Sequence, residues 1–399
     1  MMTETVMAQR TQHMGASAIR EILKVVSRPG MVSLAGGIPA PESFPMRTMR
    51  ELSGAVLEKY GASACQYDLT EGFWPLREAL AAYLNAKGIA ATADRLLVGS
   101  GSQGILDGLG KILIDPQDRV ALEAPTYLGA LQAFSPYQPS YVQIPGDDQG
   151  MLPDALETAL SQGPLKFIYL VPNFQNPSGQ TLSMERRQAV AEIIQRHGTL
   201  LIEDDPYGDL RYRGKALPAL KTLAPRHVVY VSTLSKVLAP GLRIGFCLAP
   251  EPVRRWLVLA KQGVDLHTST FNQALAAEYL SGGHLERHLP TIVDLYRTRQ
   301  QTMLSAMDRF FPHAYNWSRP DGGMFLWVVG PDGIDMQRVN QKAMQCNTAF
   351  VPGTFFFARR GCGIETMRLN YTMADNTVIA HAIRRLGDVL ACELETIDV

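Results

Sequence analysis

VYVSTLSKVLAPGLRIGF, Val229 to Phe246, holds two short apolar runs separated by hydroxyl residues, one lysine and a Pro-Gly break. The β-branched run before Thr233 has the composition of a buried strand, and Arg243 opens a second one. Lys236 sits between them, beside Ser235. An ammonium at the end of a buried strand is costly unless it is paired or chemically used. This lysine therefore needs partners from elsewhere in the chain.

The same kind of run recurs from about residue 95: RLLVGSG, RVALEAP, SYVQIP, KFIYLVP, TLLIEDD, HVVYVST and RIGFCLA. Short β-branched runs alternating with helical patterns predict a mostly parallel sheet with helices on both faces. Upstream, ASAIREILKVVSR (16–28) places Ile19, Ile22, Leu23 and Val26 at helical spacing, and Pro29-Gly30 ends it. SLAGGIPAPESFP reads as an extended, turn-rich loop. Two helices follow, RTMRELSGAVLEKYG and WPLREALAAYLNAKG.

After residue 264 the chain turns helical. GHLERHLPTIVDLYRTRQQTMLSAMDRF is long for one helix, and Pro290 is expected to kink it. From about residue 310, GGMFLWVV, NTAFVPG and TMRLNY mix strands with helices. The fold class expected is α/β: a large domain with a mostly parallel central sheet, plus a smaller α/β domain formed by both chain ends. The expected divisions are an N-terminal arm over 1–45, a large domain over 46–290 and a small C-terminal domain over 291–399.

Composition narrows the function. The chain has 399 residues, 46% hydrophobic and 19% charged, an ordinary globular balance. Its 38 basic and 38 acidic residues cancel, so nothing points to nucleic acid or an anionic membrane as partner. No run approaches the roughly 18 apolar residues of a membrane span. The N-terminus lacks the apolar core of a signal peptide. Five scattered cysteines, with no CxxC pair, suit free thiols in a reducing compartment. The expected location is cytoplasmic.

Several motifs carry chemistry. GSGSQG (Gly99 to Gly104) fits GxGxxG after a strand and before a helix, with Glu123 at the end of the next strand. Taken alone, this reads as a nicotinamide dinucleotide site. The physics is broader, because a glycine turn into a helix N-terminus suits any phosphate. Asn176 lies in the NPSG turn after a buried strand, where α/β sheets bind ligands, though an asparagine there also serves turn backbone. Glu203, Asp204 and Asp205 end another strand, with Asp204 on the opposite face from its neighbours and Tyr207 three residues on. Such acids are often simply solvated. Thr233, Ser235 and Arg243 are able to hold a second side of a phosphate. Arg368, in ETMRLNY, suits capture of a carboxylate or a structural ion pair. His284 and His288 are spaced i, i+4 without a third ligand cluster, so they read as helix surface and no metal is expected. TFFFA (354–358) reads as core or active-site wall.

Together these pieces form the set that pyridoxal phosphate requires: an amine for its aldehyde, an acid for its pyridine nitrogen, donors for its phenolic oxygen and a phosphate cradle. The ordered series SLAGGIPAPESFP, QYDLTEGFWPLREAL, GSGSQGILD, EAPTYLGA, FQNPSGQTLS, EDDPYGDLRY, STLSKVLAPGLRIGF, RPDGGMFLW and MRLNY resembles the fold-type I pyridoxal-phosphate aminotransferases over nearly the whole chain. ASAIREIL before SRPG, together with QGVDLHTS, is most similar to the branch holding 2-aminoadipate and kynurenine aminotransferases.

The resemblance implies roles. Lys236 matches the lysine that binds the cofactor aldehyde and then shuttles the substrate's α-proton. Burial there is expected to lower its pKa. Asp204 matches the acid beside the pyridine nitrogen, Asn176 and Tyr207 the phenolic-oxygen donors, and Tyr127 the aromatic stacked on the ring. Ser102, Gln103, Ser235 and Arg243 match the phosphate site. Thr233 stands where relatives usually have serine. Tyr67 matches a tyrosine that reaches the phosphate from a neighbouring subunit, which implies a homodimer with shared active sites. Arg368 matches the α-carboxylate arginine, with Gly37 and Asn176 nearby. Ser17 and Arg20 match a mobile-helix site for a distal carboxylate. By periodicity alone Arg20 lies on the polar side of its helix, beside Glu21 and Lys24, as a solvated arginine also would.

The implied reaction moves an amino group from an L-amino acid to 2-oxoglutarate in two half-reactions, with an aminoadipate or a broad aromatic and branched-chain donor range. The cofactor set equally serves a β-lyase or a racemase. Only about 15 residues precede the first matched helix, which is read as leaving no room for the DNA-binding module that some regulators of this fold carry.

Overall fold

A computed structural model describes residues 6–15 and 30–396. The expected helix over 16–28, with Ser17 and Arg20, lies outside the described residues. In chain order the strands are β1 (Val32–Ser33), β2 (Leu96–Ser100), β3 (Arg119–Ala124), β4 (Ser140–Asp147), β5 (Gly150–Met151), β6 (Phe167–Leu170) and β7 (Leu200–Asp204). They continue with β8 (Val228–Thr233), β9 (Ile244–Leu248), β10 (Asn316–Trp317), β11 (Phe325–Val329), β12 (Thr348–Ala349), β13 (Val351–Pro352) and β14 (Thr366–Asn370).

Eight strands form the central sheet in the order β2-β9-β8-β7-β6-β3-β4-β5. The β4-β3-β6-β7-β8 run is parallel, while β9 and β5 are antiparallel to their neighbours. The seven apolar runs expected as strands therefore all pair in this sheet. Alternation explains why both faces are apolar. Phe167, Tyr169 and Ile202 face one hydrophobic cluster, while Ile168, Leu170 and Leu201 face another on the opposite side. Each large apolar side chain so buried stabilises the fold by about 1.5–3 kcal/mol.

One consequence positions the site. β2, β3, β6, β7 and β8 all point the same way, so their C-terminal ends lie along one edge of the sheet. β9 runs against them, so its start, Arg243-Ile244, returns to that same edge.

A second sheet, antiparallel, has the order β10-β11-β14-β13. It sets Arg368 opposite Trp327 on one side and Val351 on the other. The N-terminal strand β1 pairs with β12, and Asn370 N donates to Leu34 O at 2.8 Å, so both chain ends meet here.

The chain from His284 to Phe310 is one unbroken helix through Pro290. Proline falls in its second turn, where one backbone bond is lost, and both flanks are held. His288 Nε2 donates to Ser43 O at 2.8 Å, and Ala40 N donates to the Tyr296 hydroxyl at 2.9 Å. The i, i+4 histidines thus have separate partners, since His284 stacks on Tyr279. None of the helices among the described residues is long and apolar enough to cross a membrane.

Candidate active site

The strand ends open into a cavity of about 750 Å³. Ser102, Gln103, Tyr127, Asn176, Asp204, Tyr207, Thr233, Ser235, Lys236, Arg243, Arg368 and Gly37 all line it. These residues span more than 330 positions of sequence, yet the sheet edge gathers them.

Lys236 ends the 3₁₀ turn Leu234–Lys236 that follows β8. Its Nζ donates to Gly37 O at 3.0 Å. Burial pulls its pKa down to about 8, helped by the Arg368 and Arg243 charges. A neutral amine is therefore available near physiological pH.

Asp204 closes β7, and burial pushes its carboxyl up to about 7. Tyr169 on β6 donates to Asp204 Oδ2 at 2.8 Å, while Oδ1 is buried without a partner. A carboxylate oxygen at a cavity wall with nothing bound to it is an unfilled acceptor.

Arg368 Nη1 donates to Asn176 Oδ1 at 2.8 Å, and Nη2 to Ala35 O at 2.7 Å. Its guanidinium lies 4.4 Å from the Phe325 ring centre and 5.0 Å from that of Phe356. No carboxylate pairs with it among the described residues, so the ion-pair reading of this arginine is not what the fold builds. Burial lowers its pKa to about 10. The cation keeps its capacity for an incoming anion.

Asn176 also faces Tyr207, with its Nδ2 3.4 Å from the phenol oxygen. Tyr207 packs edge-on against Phe325. Tyr127, pushed up to about 12 by burial, precedes the helix Leu128–Phe134 and walls the cavity.

The helix Ser102–Leu113 brings its N-terminus to the cavity with no capping side chain. Glycine is required at two contacts here. A Cβ on Gly101, which has φ +85°, would lie 2.1 Å from Arg243 Nη2. One on Gly245 would lie 2.3 Å from Ser102 N. Gly104, by contrast, faces open space, so the third glycine of the apparent dinucleotide fingerprint does no packing. Glu123 does not serve a ribose either. Its Oε2 accepts from Val171 N at 2.9 Å and holds the loop before Asn176. Gln103 Nε2 is engaged by Gly129 O at 2.7 Å, so its backbone faces the cavity more freely than its amide. Thr233 donates to Ile244 O and lies 2.8 Å from the Ser235 hydroxyl, so it orients Ser235. Tyr67 is 76% exposed and does not line this cavity; it packs edge-on against His267.

The class I and II aminotransferase model matches residues 52–386. The chain belongs to that family. It is 42% identical to an aromatic-amino-acid aminotransferase of Thermococcus litoralis over 98% of this chain and 95% of that one. It is 41% identical to a 2-aminoadipate transaminase of Thermus thermophilus, covering 94% of each. Among solved structures it is similar to a kynurenine aminotransferase of Pyrococcus horikoshii in complex with PMP, KYN as substrates and KYA as products. The TM-score is 0.94, with 42% identity and 98% of both chains covered. This aminotransferase is a fold-type I enzyme, and its cofactor is pyridoxal 5′-phosphate.

The residues present fit that cofactor. The cavity offers one buried amine with a lowered pKa, one buried acceptor without a partner and a helix N-terminus beside a guanidinium. Tyr169 is the contributor that sequence reasoning missed. It sits inside an apolar run, and only pairing of β6 with β7 brings its hydroxyl to Asp204.

Proposed function

We propose that this aminotransferase transfers the amino group of an L-amino acid to 2-oxoglutarate in two half-reactions sharing one cofactor-binding cavity. The observation that carries this reading is Arg368: a buried guanidinium with no carboxylate partner among the described residues, lining the same cavity as Lys236. Both amino acids and 2-oxo acids present the α-carboxylate such a fork captures. Asn176 and Gly37 lie beside it and complete that subsite.

Bound here, pyridoxal phosphate supplies an aldehyde for amines and a conjugated ring that takes up the electron pair left at the substrate α-carbon. Asp204 Oδ1, buried without a partner, would accept from the protonated pyridine nitrogen, while Tyr169 holds the other oxygen in place. Asn176 and Tyr207 donate to the phenolic oxygen, and Tyr127 covers the ring. The N–H groups of Ser102 and Gln103, the Ser235 hydroxyl and Arg243 hold the phosphate. Thr233 acts through Ser235. Lys236 Nζ is the amine that would engage the aldehyde and would take and return the substrate's α-proton, a task suited to a buried amine whose pKa is lowered to about 8. The site is completed in a homodimer by Tyr67 of a second copy, and the enzyme works in the cytoplasm.

The donor is aromatic, branched-chain or 2-aminoadipate. The cavity wall includes Met14, Ile38, Leu128 and Pro136, which suit an apolar side chain. Arg20 and Ser17 serve a distal carboxylate. Mixing holoenzyme with each amino acid in the absence of acceptor tests the reading. Aminotransfer converts one equivalent of cofactor to its amine form, and 2-oxoglutarate restores it. Continuous turnover without acceptor would instead identify a β-lyase or racemase.

A further inference from the structure

The two donors assigned to the phenolic oxygen stand on separate loops. Asn176 follows β6, and Tyr207 follows β7. They converge to 3.4 Å in the cavity. Behind them a second contact joins the same loops: Asn173 Nδ2 donates to Asp205 Oδ1 at 2.9 Å. Both ends of this contact are anchored. Asn173 Oδ1 accepts from Arg187 Nη2 at 2.7 Å, and Arg187 is fully buried, with its other donors on Leu182 O, Pro172 O and Pro218 O. Asp205 Oδ2 accepts from the Tyr230 hydroxyl at 3.0 Å, and Oδ1 also from Gly208 N at 3.0 Å. Its main chain is tied to β8 through Asp205 N to Val231 O and the Ser232 hydroxyl to Asp205 O.

We propose that Asn173 and Asp205 act as positioning residues, a clamp that sets the spacing of Asn176 and Tyr207 and so the hydrogen bonding offered to the cofactor's phenolic oxygen. The inference rests on the donor roles proposed above. Neither clamp residue lines the cavity, so neither touches cofactor or substrate. Their effect is geometric. A hydrogen bond weakens steeply with distance and angle, so loops free to separate hold two donors less well on one oxygen. Glycine at 208 belongs to the device. A Cβ there would lie 2.7 Å from both Asp205 carboxylate oxygens, so a side chain at 208 would push the carboxylate out of its seat beside Asn173.

The readout is the pH midpoint of the bound cofactor's visible absorbance in holoenzyme. Donors to the phenolic oxygen stabilise its anion and make the conjugated chromophore less basic. Tyr207→Phe is expected to raise the midpoint by about one unit. Asn173→Ala and Gly208→Ala, which leave both donors present, are expected to raise it by about half a unit. Asn340→Ala removes a comparably buried amide that accepts from Phe350 N away from the site; it lowers Tm without moving the midpoint. If Tyr207→Phe raises the midpoint while Asn173→Ala and Gly208→Ala leave it at the wild-type value, the clamp is overturned and the donor roles stand. If Tyr207→Phe itself leaves the midpoint in place, the donor reading fails. Should Asn173→Ala not fold, Gly208→Ala alone decides, because it alters only the carboxylate's seat.

Discussion

Glu203 and Asp204 are neighbours on β7, both buried, and burial pushes both to about 7. They differ in what fills them. Glu203, on one face of the sheet, accepts from Leu220 N at 2.9 Å and Lys221 N at 2.7 Å, one on each oxygen. Asp204, on the other face, leaves Oδ1 without a partner. The same contrast separates two lysines that burial lowers to about 8. Lys221 donates to Pro225 O and Val228 O, whereas Lys236 holds only Gly37 O beside the cavity. It recurs in two buried arginines. Arg187 reaches four acceptors, while Arg368 leaves Nε unpaired and faces the cavity. Desolvation acts alike on both sets, so a shifted pKa does not by itself mark function. Unfilled hydrogen-bonding capacity facing a cavity does.

This contrast predicts different failures on the two faces. The largest effect is expected at the lysines. Lys236→Ala should lower kcat by about 10⁴-fold with the fold intact by circular dichroism. Lys221→Met should cost thermal stability and leave kcat within about threefold, since its Nζ only caps backbone carbonyls. A Lys221 variant as inactive as the Lys236 variant would break the distinction.

At the arginines, Arg368→Gln should raise KM for amino acid and oxo acid alike by about 10²-fold, measured by steady-state kinetics, with a small change in Tm. Arg187→Gln strips partners from buried carbonyls and should lower Tm by about 5 °C or more. Equal Tm losses in the two variants would mean that Arg368 is structural after all.

The smallest effect concerns pH and the cofactor-free protein. Asp204 titrates near 7 in the fold against an ordinary value of 3.8, so the folded state binds a proton more tightly. The stability linked to that proton is present in full below 3.8 and is lost as pH rises through about 7. Asp204→Asn removes this term. Its Tm should exceed the parent's by a few degrees at pH 8, roughly in the range expected for a small stability change, and match it near pH 4. A parallel pH profile for the two proteins would refute the assignment. Glu203→Asn, by contrast, should lower Tm throughout, because it leaves two backbone N–H groups poorly met.

Much of this was legible without coordinates. All seven apolar runs between residues 95 and 249 became strands of one sheet, because runs of β-branched residues bounded by turns have few other stable fates. Among the described residues, those expected to surround Lys236 do line its cavity, apart from Tyr67; Ser17 and Arg20 lie outside the described residues. Short patterns underdetermine their meaning. GxGxxG with a following acid suggested a dinucleotide, yet Gly104 packs against nothing and Glu123 is bound to Val171 N. Pro290 lies inside one continuous helix from His284 to Phe310, flanked by hydrogen bonds to Ser43 and Ala40.

The sequence by itself determined which chemical groups the chain possesses, which segments become strands and the order in which the motifs arrive. Local composition governs those properties, so they are readable locally. Only the tertiary structure decided which buried groups are saturated and which face the cavity. Asp204 and Glu203 are indistinguishable as carboxylates in EDD. Tyr169, drawn in from the neighbouring strand, and the backbone at 220–221, drawn in from a later helix, separate them. Hydrogen-bond satisfaction is a property of partners distant in sequence, and it emerges only when the strands pair.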